Sequence, residues 1–321
     1  MSERKQVTAS REANTDYLNQ VLPIRESFDL IQRDIQIGGR MASFYFIDGF
    51  MKDEVMLKIM DSLLKVKEEE MPADATQFSR LCVPYVDVLG DFDQVLKNLL
   101  SGVTCLFIDG YEACIAIDCR TYPMRSVEEP DKDKSLRGSR DGFVETVVFN
   151  TAMLRRRIRD PELVMEMKEV GDSSRTDVAV CYMKDRVDQA LLKRVEEQIG
   201  SIKTGDLRMN QQSLAECLFR RKWYNPFPKF KFTERPDTAA ACLLEGKVAI
   251  LVDNSPSALI LPTSIYDMIE EANDYYFPTL TRVYLKAARA LINFLTIFLT
   301  PVFLLFMQNL NWLPEVFAFV A

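Results

Sequence analysis

The sequence predicts an α/β (α+β) chain: two related αβ subdomains followed by at least one transmembrane helix. Three observations predict it. One segment occurs twice, helical and strand periodicities alternate on both sides of a charged linker, and a long apolar run lies near the C-terminus.

The repeated segment is Leu99-Leu-Ser-Gly-Val-Thr-Cys-Leu-Phe-Ile-Asp-Gly110, which aligns without gaps on Leu243-Leu-Glu-Gly-Lys-Val-Ala-Ile-Leu-Val-Asp-Asn254. Before the first copy, Phe92, Val95, Leu96, Leu99 and Leu100 fall on one helical face, and Gly102 ends that helix as a C′ residue. Before the second, Pro236 suits a first helical turn, Ala239, Leu243 and Leu244 form the stripe, and Gly246 is the stop. Val248 to Val252 runs apolar throughout, as a strand covered on both faces does. Asp109-Gly110 and Asp253-Asn254-Ser255-Pro256 are turn signals, after which Tyr111 to Ile117 and Ala258 to Leu261 return as strands.

Taken in order, residues 1–38 predict an N-terminal helical segment, with a helix over 17–36 broken at Pro23. Residues 39–120 form the first subdomain, β-α-β-α-β-β, with strands at 42–47 and 81–88 and a helix at 55–64. The stretch 121–140, with Pro123, Pro130 and many charges, is a linker. The second subdomain spans 141–275. It opens on a helix over 141–159 with Asp141 as N-cap, continues with strands at 163–170 and 178–183, and has a helix through Val187, Leu191, Val195 and Ile199 that Gly200 terminates. Residues 224–228 read as a packed aromatic loop and 265–272 as a last short helix.

Ala287 to Met307 contains a single charge, Arg289, at its edge. At ~1.5 Å per residue such a run matches the ~30 Å of a bilayer core. A transmembrane helix over 285–307 follows, and 308–321 reads as the start of a truncated membrane segment. Arg282, Lys286 and Arg289 precede the span and no Lys or Arg follows it, which places the N-terminal region in the cytoplasm. Tyr275, Tyr276, Tyr284 and Trp312 bracket the span as interfacial aromatics do.

Composition narrows the chemistry. With a net charge of −7 over 321 residues the chain lacks the cationic excess that nucleic-acid binding requires. It has no histidine, which removes the commonest general base and the Ser–His and Cys–His dyads. Its seven cysteines include no C-x-x-C pair and read as reduced core thiols. Neither a phosphate-binding glycine loop nor a metalloprotease or hydrolase motif occurs, so no catalytic residue, metal ligand or cofactor is assigned. Arg155, Arg156, Arg157 and Arg159 form a basic run that serves either an anion, a lipid headgroup or a neighbouring subunit, or else the C-terminal dipole of its own helix. Asp109 and Asp253 sit at matched turn positions, where they contact a ligand between the lobes or stabilise their turns.

Five segments carry a resemblance: Leu136-Arg-Gly-Ser-Arg-Asp-Gly-Phe-Val-Glu-Thr146, Asn150-Thr-Ala-Met-Leu-Arg-Arg-Arg-Ile-Arg-Asp-Pro161, Ser174-Arg-Thr-Asp-Val-Ala-Val180, Asn225-Pro-Phe-Pro228 and Thr233-Glu-Arg-Pro-Asp237 with the strand that follows. Together they resemble the A-subunit family of bacterial spore germinant receptors, the GerA family, over roughly residues 30–310. Arg120-Thr-Tyr-Pro123, Ser126-Val-Glu-Glu-Pro-Asp-Lys132 and Asp274-Tyr-Tyr-Phe-Pro278 are similar to its stage V sporulation branch. The resemblance implies residence in the inner spore membrane and a homo-oligomer, a pentamer in the family, that releases ions during germination. It also implies other spore membrane proteins of the germination system as partners, the lipid bilayer as surroundings, and no enzyme activity. The family continues into further membrane helices, so the expectation is a fragment or a truncated member. A different reading is a membrane-tethered cytosolic sensor that binds a ligand between its lobes and does not itself conduct.

Overall fold

Runs rich in β-branched and aromatic residues, punctuated by short turns, pair into two separate antiparallel sheets. The computed structural model describes residues 5–51, 53–82, 86–122, 141–171, 175–202, 211–218, 229–264, 267 and 277–309. In the first half the order is α1 (Arg11–Val21), β1 (Leu30–Ile37), β2 (Arg40–Ile47), α2 (Asp53–Leu64), α3 (Ala75–Cys82), β3 (Val86–Leu89), α4 (Phe92–Leu100), β4 (Thr104–Ile108) and β5 (Cys114–Ile117). The second half runs α5 (Val147–Arg157), β6 (Leu163–Val170), β7 (Thr176–Met183), α6 (Gln189–Gly200), α7 (Gln211–Leu218), β8 (Lys231–Thr233), α8 (Pro236–Leu244), β9 (Val248–Val252) and β10 (Ala258–Leu261).

The two halves share one topology. The sheets are ordered β1-β2-β4-β5-β3 and β6-β7-β9-β10-β8, with every neighbouring pair antiparallel. Both faces of each sheet are covered, which explains why β4, β5, β9 and β10 are buried at every position. One face of the first sheet packs Leu18, Phe92, Val95 and Leu99 of α1 and α4, and the other Ile59, Leu63 and Phe78 of α2 and α3. In the second sheet α5 and α8 cover one face, and Val195, Ile199, Leu214 and Leu218 of α6 and α7 the other.

The duplication extends beyond the segment legible in the sequence. At the head of α1, the Asn14 amide donates to Thr8 O (2.7 Å) and accepts from the Thr8 N–H (2.9 Å). At the head of α5, Asn150 makes the same two bonds to Val144, at 2.6 and 2.8 Å. Each asparagine therefore clamps the backbone six residues upstream and closes the loop that enters its helix. Gly102 and Gly246 end α4 and α8 with φ of 96° and 88°, a left-handed C′ conformation that a β-carbon disfavours.

Several expectations are corrected. The helix over 17–36 is instead α1, ending at Val21, followed by strand β1 from Leu30. Leu30 and Ile31 imitate helical spacing with the apolar residues before them, but Ile35 and Ile37 alternate and run into the turn before β2. Leu81 belongs to α3, so the strand expected over 81–88 begins at Val86. The helix expected to start at Asp141 begins at Val147, because the Phe143 N–H is engaged by Glu234 O and Val144 is held by Asn150. Asp141 accordingly is not an N-cap and instead pairs with Arg157. The linker over 123–140, the loop 224–228, Tyr275, Tyr276, Trp312 and residues 310–321 lie outside the described residues, as does most of the helix expected at 265–272.

Residues Thr263–Ala321 belong to a second unit. Its described part is α9 (Thr279–Gln308), 30 residues long with Pro301 inside. α9 is long and apolar enough to cross a membrane, and none of its most apolar stretch is buried within the chain. It is longer than the span expected from the apolar run because its first turns carry Arg282, Lys286 and Arg289.

Candidate functional site

The four arginines of the basic run separate into different environments at the junction of the two halves. Asp29 and Ser27 lie just before β1 and run beside edge strand β6, where the Phe28 N–H donates to Met165 O (3.0 Å) and the Met165 N–H to Ser27 Oγ (3.0 Å). Arg155 reaches this strap from α5. Its Nε and Nη2 donate to the two Asp29 carboxylate oxygens at 2.7 and 3.1 Å, and the guanidinium also donates to Asp160 O (3.2 Å) and Leu163 O (2.9 Å). Arg155 is 0% and Asp29 1% exposed, so this is a fully desolvated bidentate pair between the halves. Beside it the Ala152 side chain of α5 enters the first half's core, and a β-carbon on Gly49 would lie 3.0 Å from Ala152 Cβ.

The other three are peripheral. Arg156 lies over the Tyr122 ring at 4.4 Å, a cation–π contact that again joins second half to first. Arg157 pairs with Asp141 inside the second half, and exposed Arg159 donates from Nε to Arg156 O (3.3 Å). A basic run that reads as one patch is thus one buried tie, one ring contact, one local ion pair and one exposed cation. Arg155 is not available to an outside anion or subunit, because burial and Asp29 already occupy it.

Asp109 and Asp253 each bond within their own half. Asp109 Oδ1 accepts from the Arg11 N–H (3.2 Å) and Asp253 Oδ1 from the Val147 N–H (3.1 Å). Each turn aspartate therefore satisfies an otherwise orphaned amide at the start of its own half's first helix, at the positive end of the helix dipole. The neighbouring turn residues complete the match: Gly110 N–H donates to Ala9 O and Asn254 N–H to Glu145 O, at 2.8 and 2.7 Å.

Two cavities border the junction. One of about 490 Å³ is lined by Gln94, Lys97, Asn98, Ser101, Arg120 and Arg159. Asp118 takes the Arg120 guanidinium in a two-pronged pair, which holds the Asp118 carboxyl below its usual range and the guanidinium pKa up. The other, of about 760 Å³, lies between the strap and β6 and includes Arg25, Glu26, Gln32 and Glu166. Burial and the Glu166 contact push the nearby Tyr182 hydroxyl pKa up, so it stays protonated and donates to Glu166 Oε1 at 2.6 Å. Burial likewise pushes the Cys114 and Cys181 thiols up, the opposite of an activated nucleophile. Among the described residues no cluster of three or more His, Cys, Asp or Glu side chains suits a metal.

Comparison with known proteins bears on the chain as a whole. The family described as Bacillus/Clostridium GerA spore germination protein matches residues 16–321. This chain belongs to the GerA family. Among GerA relatives, stage V sporulation protein AF of Bacillus subtilis (strain 168) is 34% identical over 310 residues, covering 96% of this chain and 63% of that protein. Spore germination protein A1 of the same organism is 27% identical over 298 residues, covering 92% and 61%. The motifs that pointed to the stage V branch agree with the first of these. The N-terminal domain of the A subunit of the Bacillus megaterium spore germinant receptor GerK3 superposes with a TM-score of 0.60 at 24% identity. It covers 82% of this chain and 98% of that domain, and its likeness concerns the fold. The chain spans less than two thirds of the length of these GerA relatives. Family membership and α9 agree with a membrane-associated chain.

The sequence did not single out Asp29, Asn14, Asn150, Lys97 or Tyr122. Asn150 opens one of the family-like motifs, but Asn14 stands in a polar N-terminal stretch with no periodicity to mark it. Asp29 gains its meaning from a partner 126 positions away.

Proposed function

We propose that this GerA chain is a non-enzymatic, membrane-anchored subunit of an oligomeric complex that releases ions during spore germination. Its αβ region lies in the cytoplasm, drives assembly and couples a signal to the membrane part. The observation that carries this reading is a polar stripe on α9. Arg282, Lys286, Arg289, Asn293, Thr296 and Thr300 recur at steps of 4, 3, 4, 3 and 4 residues and so share one helix face. Thr296 satisfies its hydroxyl by donating to Ile292 O (2.8 Å), whereas an asparagine amide at membrane depth seeks a partner on another helix or in water. The cations at the start of the stripe favour a cytoplasmic N-terminal side. Relatives named as spore germination proteins support other germination proteins as partners. The inner spore membrane as the location and the pentamer as the homo-oligomer rest on the family resemblance. The expected boundaries, 39–120 and 141–275, then mark two assembly modules, with α1 and β1 added to the first.

The test is reconstitution of the whole chain in lipid vesicles, followed by cross-linking and ion efflux. Oligomers up to five, with efflux that Asn293→Leu reduces, are expected. A monomer at every protein-to-lipid ratio would sink the assembly reading. Oligomers without efflux would move the reading to the tethered sensor, which the 760 Å³ cavity between strap and β6 favours.

A further inference from the structure

We propose that the 490 Å³ cavity at the junction binds a soluble phosphorylated small molecule and that this ligand ties the two halves together. In a chain of net charge −7, four cations gather around this one space: Lys97, Arg120 and Arg159 on its wall, and Arg156 on the adjoining Tyr122 ring. Asp118 is the one carboxylate paired with any of them among the described residues, and it engages Arg120 alone. Lys97, Arg156 and Arg159 therefore carry positive charge that no carboxylate among the described residues neutralises.

The cluster is held in place as a site requires. The Asp118 fork leaves Arg120 Nη1 directed at Ser101 Oγ (3.1 Å) and the Tyr122 hydroxyl (3.4 Å), and Tyr122 donates on to Ser101 O (2.9 Å). The Tyr122 ring then supports Arg156, whose carbonyl accepts from Arg159 Nε. This chain of contacts holds Arg156 on the Tyr122 ring and Arg159 on the cavity wall, and among the described residues neither commits its Nη groups to a hydrogen bond. Planar guanidinium forks match phosphate oxygens two at a time, which an ammonium cannot do.

The remaining wall sets the ligand's size. A cavity of this volume exceeds a single oxyanion and suits a small organic molecule. The Gln94 and Asn98 amides supply neutral polar groups of the kind that hold hydroxyls, while Ser101 Oγ is already engaged by Arg120 and Asn98 O, so a phosphate group on a polar, hydroxylated body fits the lining. The cations come from both halves, Lys97 and Arg120 from the first and Arg156 and Arg159 from the second. An anion bridging them adds a tie across the junction, parallel to Arg155–Asp29.

The test is isothermal titration of the whole detergent-solubilised protein with pyrophosphate, against equal ionic strength of chloride. Saturable binding is expected. Losing two charge-assisted contacts in Lys97→Gln/Arg159→Gln should weaken it about tenfold or more. The double variant should keep the melting temperature of the unliganded protein, because both side chains lie outside the core. No saturable binding, or equal affinity in the double variant, would overturn the proposal. Binding is read without reference to assembly or efflux, so the result stands whichever way the proposed function is decided.

Discussion

The two halves are one design used twice, and the places where they part company show what each copy is for. Asn14 matches Asn150 and Asp109 matches Asp253, down to the atoms they bond. These side chains hold backbone that no sheet or helix satisfies, so they belong to the fold itself. On the outer faces of α1 and α5 the match ends. Arg155 stands where α1 has exposed Asn19, and Ala152, which enters the other half's core, stands where α1 has exposed Asp16. One copy of the helix has become an interface and the other a solvated surface.

The largest effect follows from that divergence. Arg155→Ala would leave Asp29 buried without its partner and should cost about 3–5 kcal/mol, whereas Asn19→Ala should stay within about 0.5 kcal/mol. Chemical denaturation of both variants checks this. A small loss in Arg155→Ala would mean that water reaches Asp29 and that the junction is looser than its burial suggests. A paired Asp29→Leu/Arg155→Met exchange should recover much of the loss, since well-packed apolar groups replace a buried ion pair at little cost.

The asparagine clamps come next. Asn150→Ala and Asn14→Ala each leave a backbone N–H and C=O without their bond, at about 1–3 kcal/mol. If the halves are equivalent the two losses should agree. An excess in Asn150→Ala would show that α5 carries the junction as well as its own loop. Asp253→Ala and Asp109→Ala should each cost about 0.5–2 kcal/mol, as other helix-start acceptors do. Asp253 should show the larger loss of the two, because its bond is the shorter and less exposed.

How much of this was legible depended on spacing. The α4–β4 and α8–β9 match was visible because it runs without gaps, 144 positions apart. The α1 and α5 match lies 136 positions apart, since the second half has a longer connection between α7 and β8 than the first has between α3 and β3. A change of offset hides kinship from ungapped alignment while leaving the topology untouched. The basic run was legible as a run, but helical geometry sends adjacent residues to different faces. One arginine went inward and three outward for that reason. Asp29 left no local signal, because a buried charge is defined by what approaches it in space.

The smallest effect sharpens the comparison at the sheets' last strands. Asp118 and Arg120 follow β5, and at the matching offset after β10 the chain has Pro262 and Ser264, with no ion pair. The Asp118 and Arg120 side chains are 41% and 30% exposed, so solvent screens the pair and it should contribute under about 1 kcal/mol. Arg120 depresses the folded-state pKa of Asp118. The unfolded carboxyl therefore binds protons first as pH falls. The pair's contribution is present above the ordinary carboxylate range near ~3.9 and is lost as pH drops through the lower folded value. Arg120→Ser, which copies the second half, should raise the Asp118 pKa in a carboxyl NMR titration. It should slightly lower stability at neutral pH and leave stability unchanged at pH well below the folded pKa. A carboxyl that titrates alike in both proteins would show that backbone bonds, not the guanidinium, set its charge, and the two halves would then end their sheets in energetically equivalent ways.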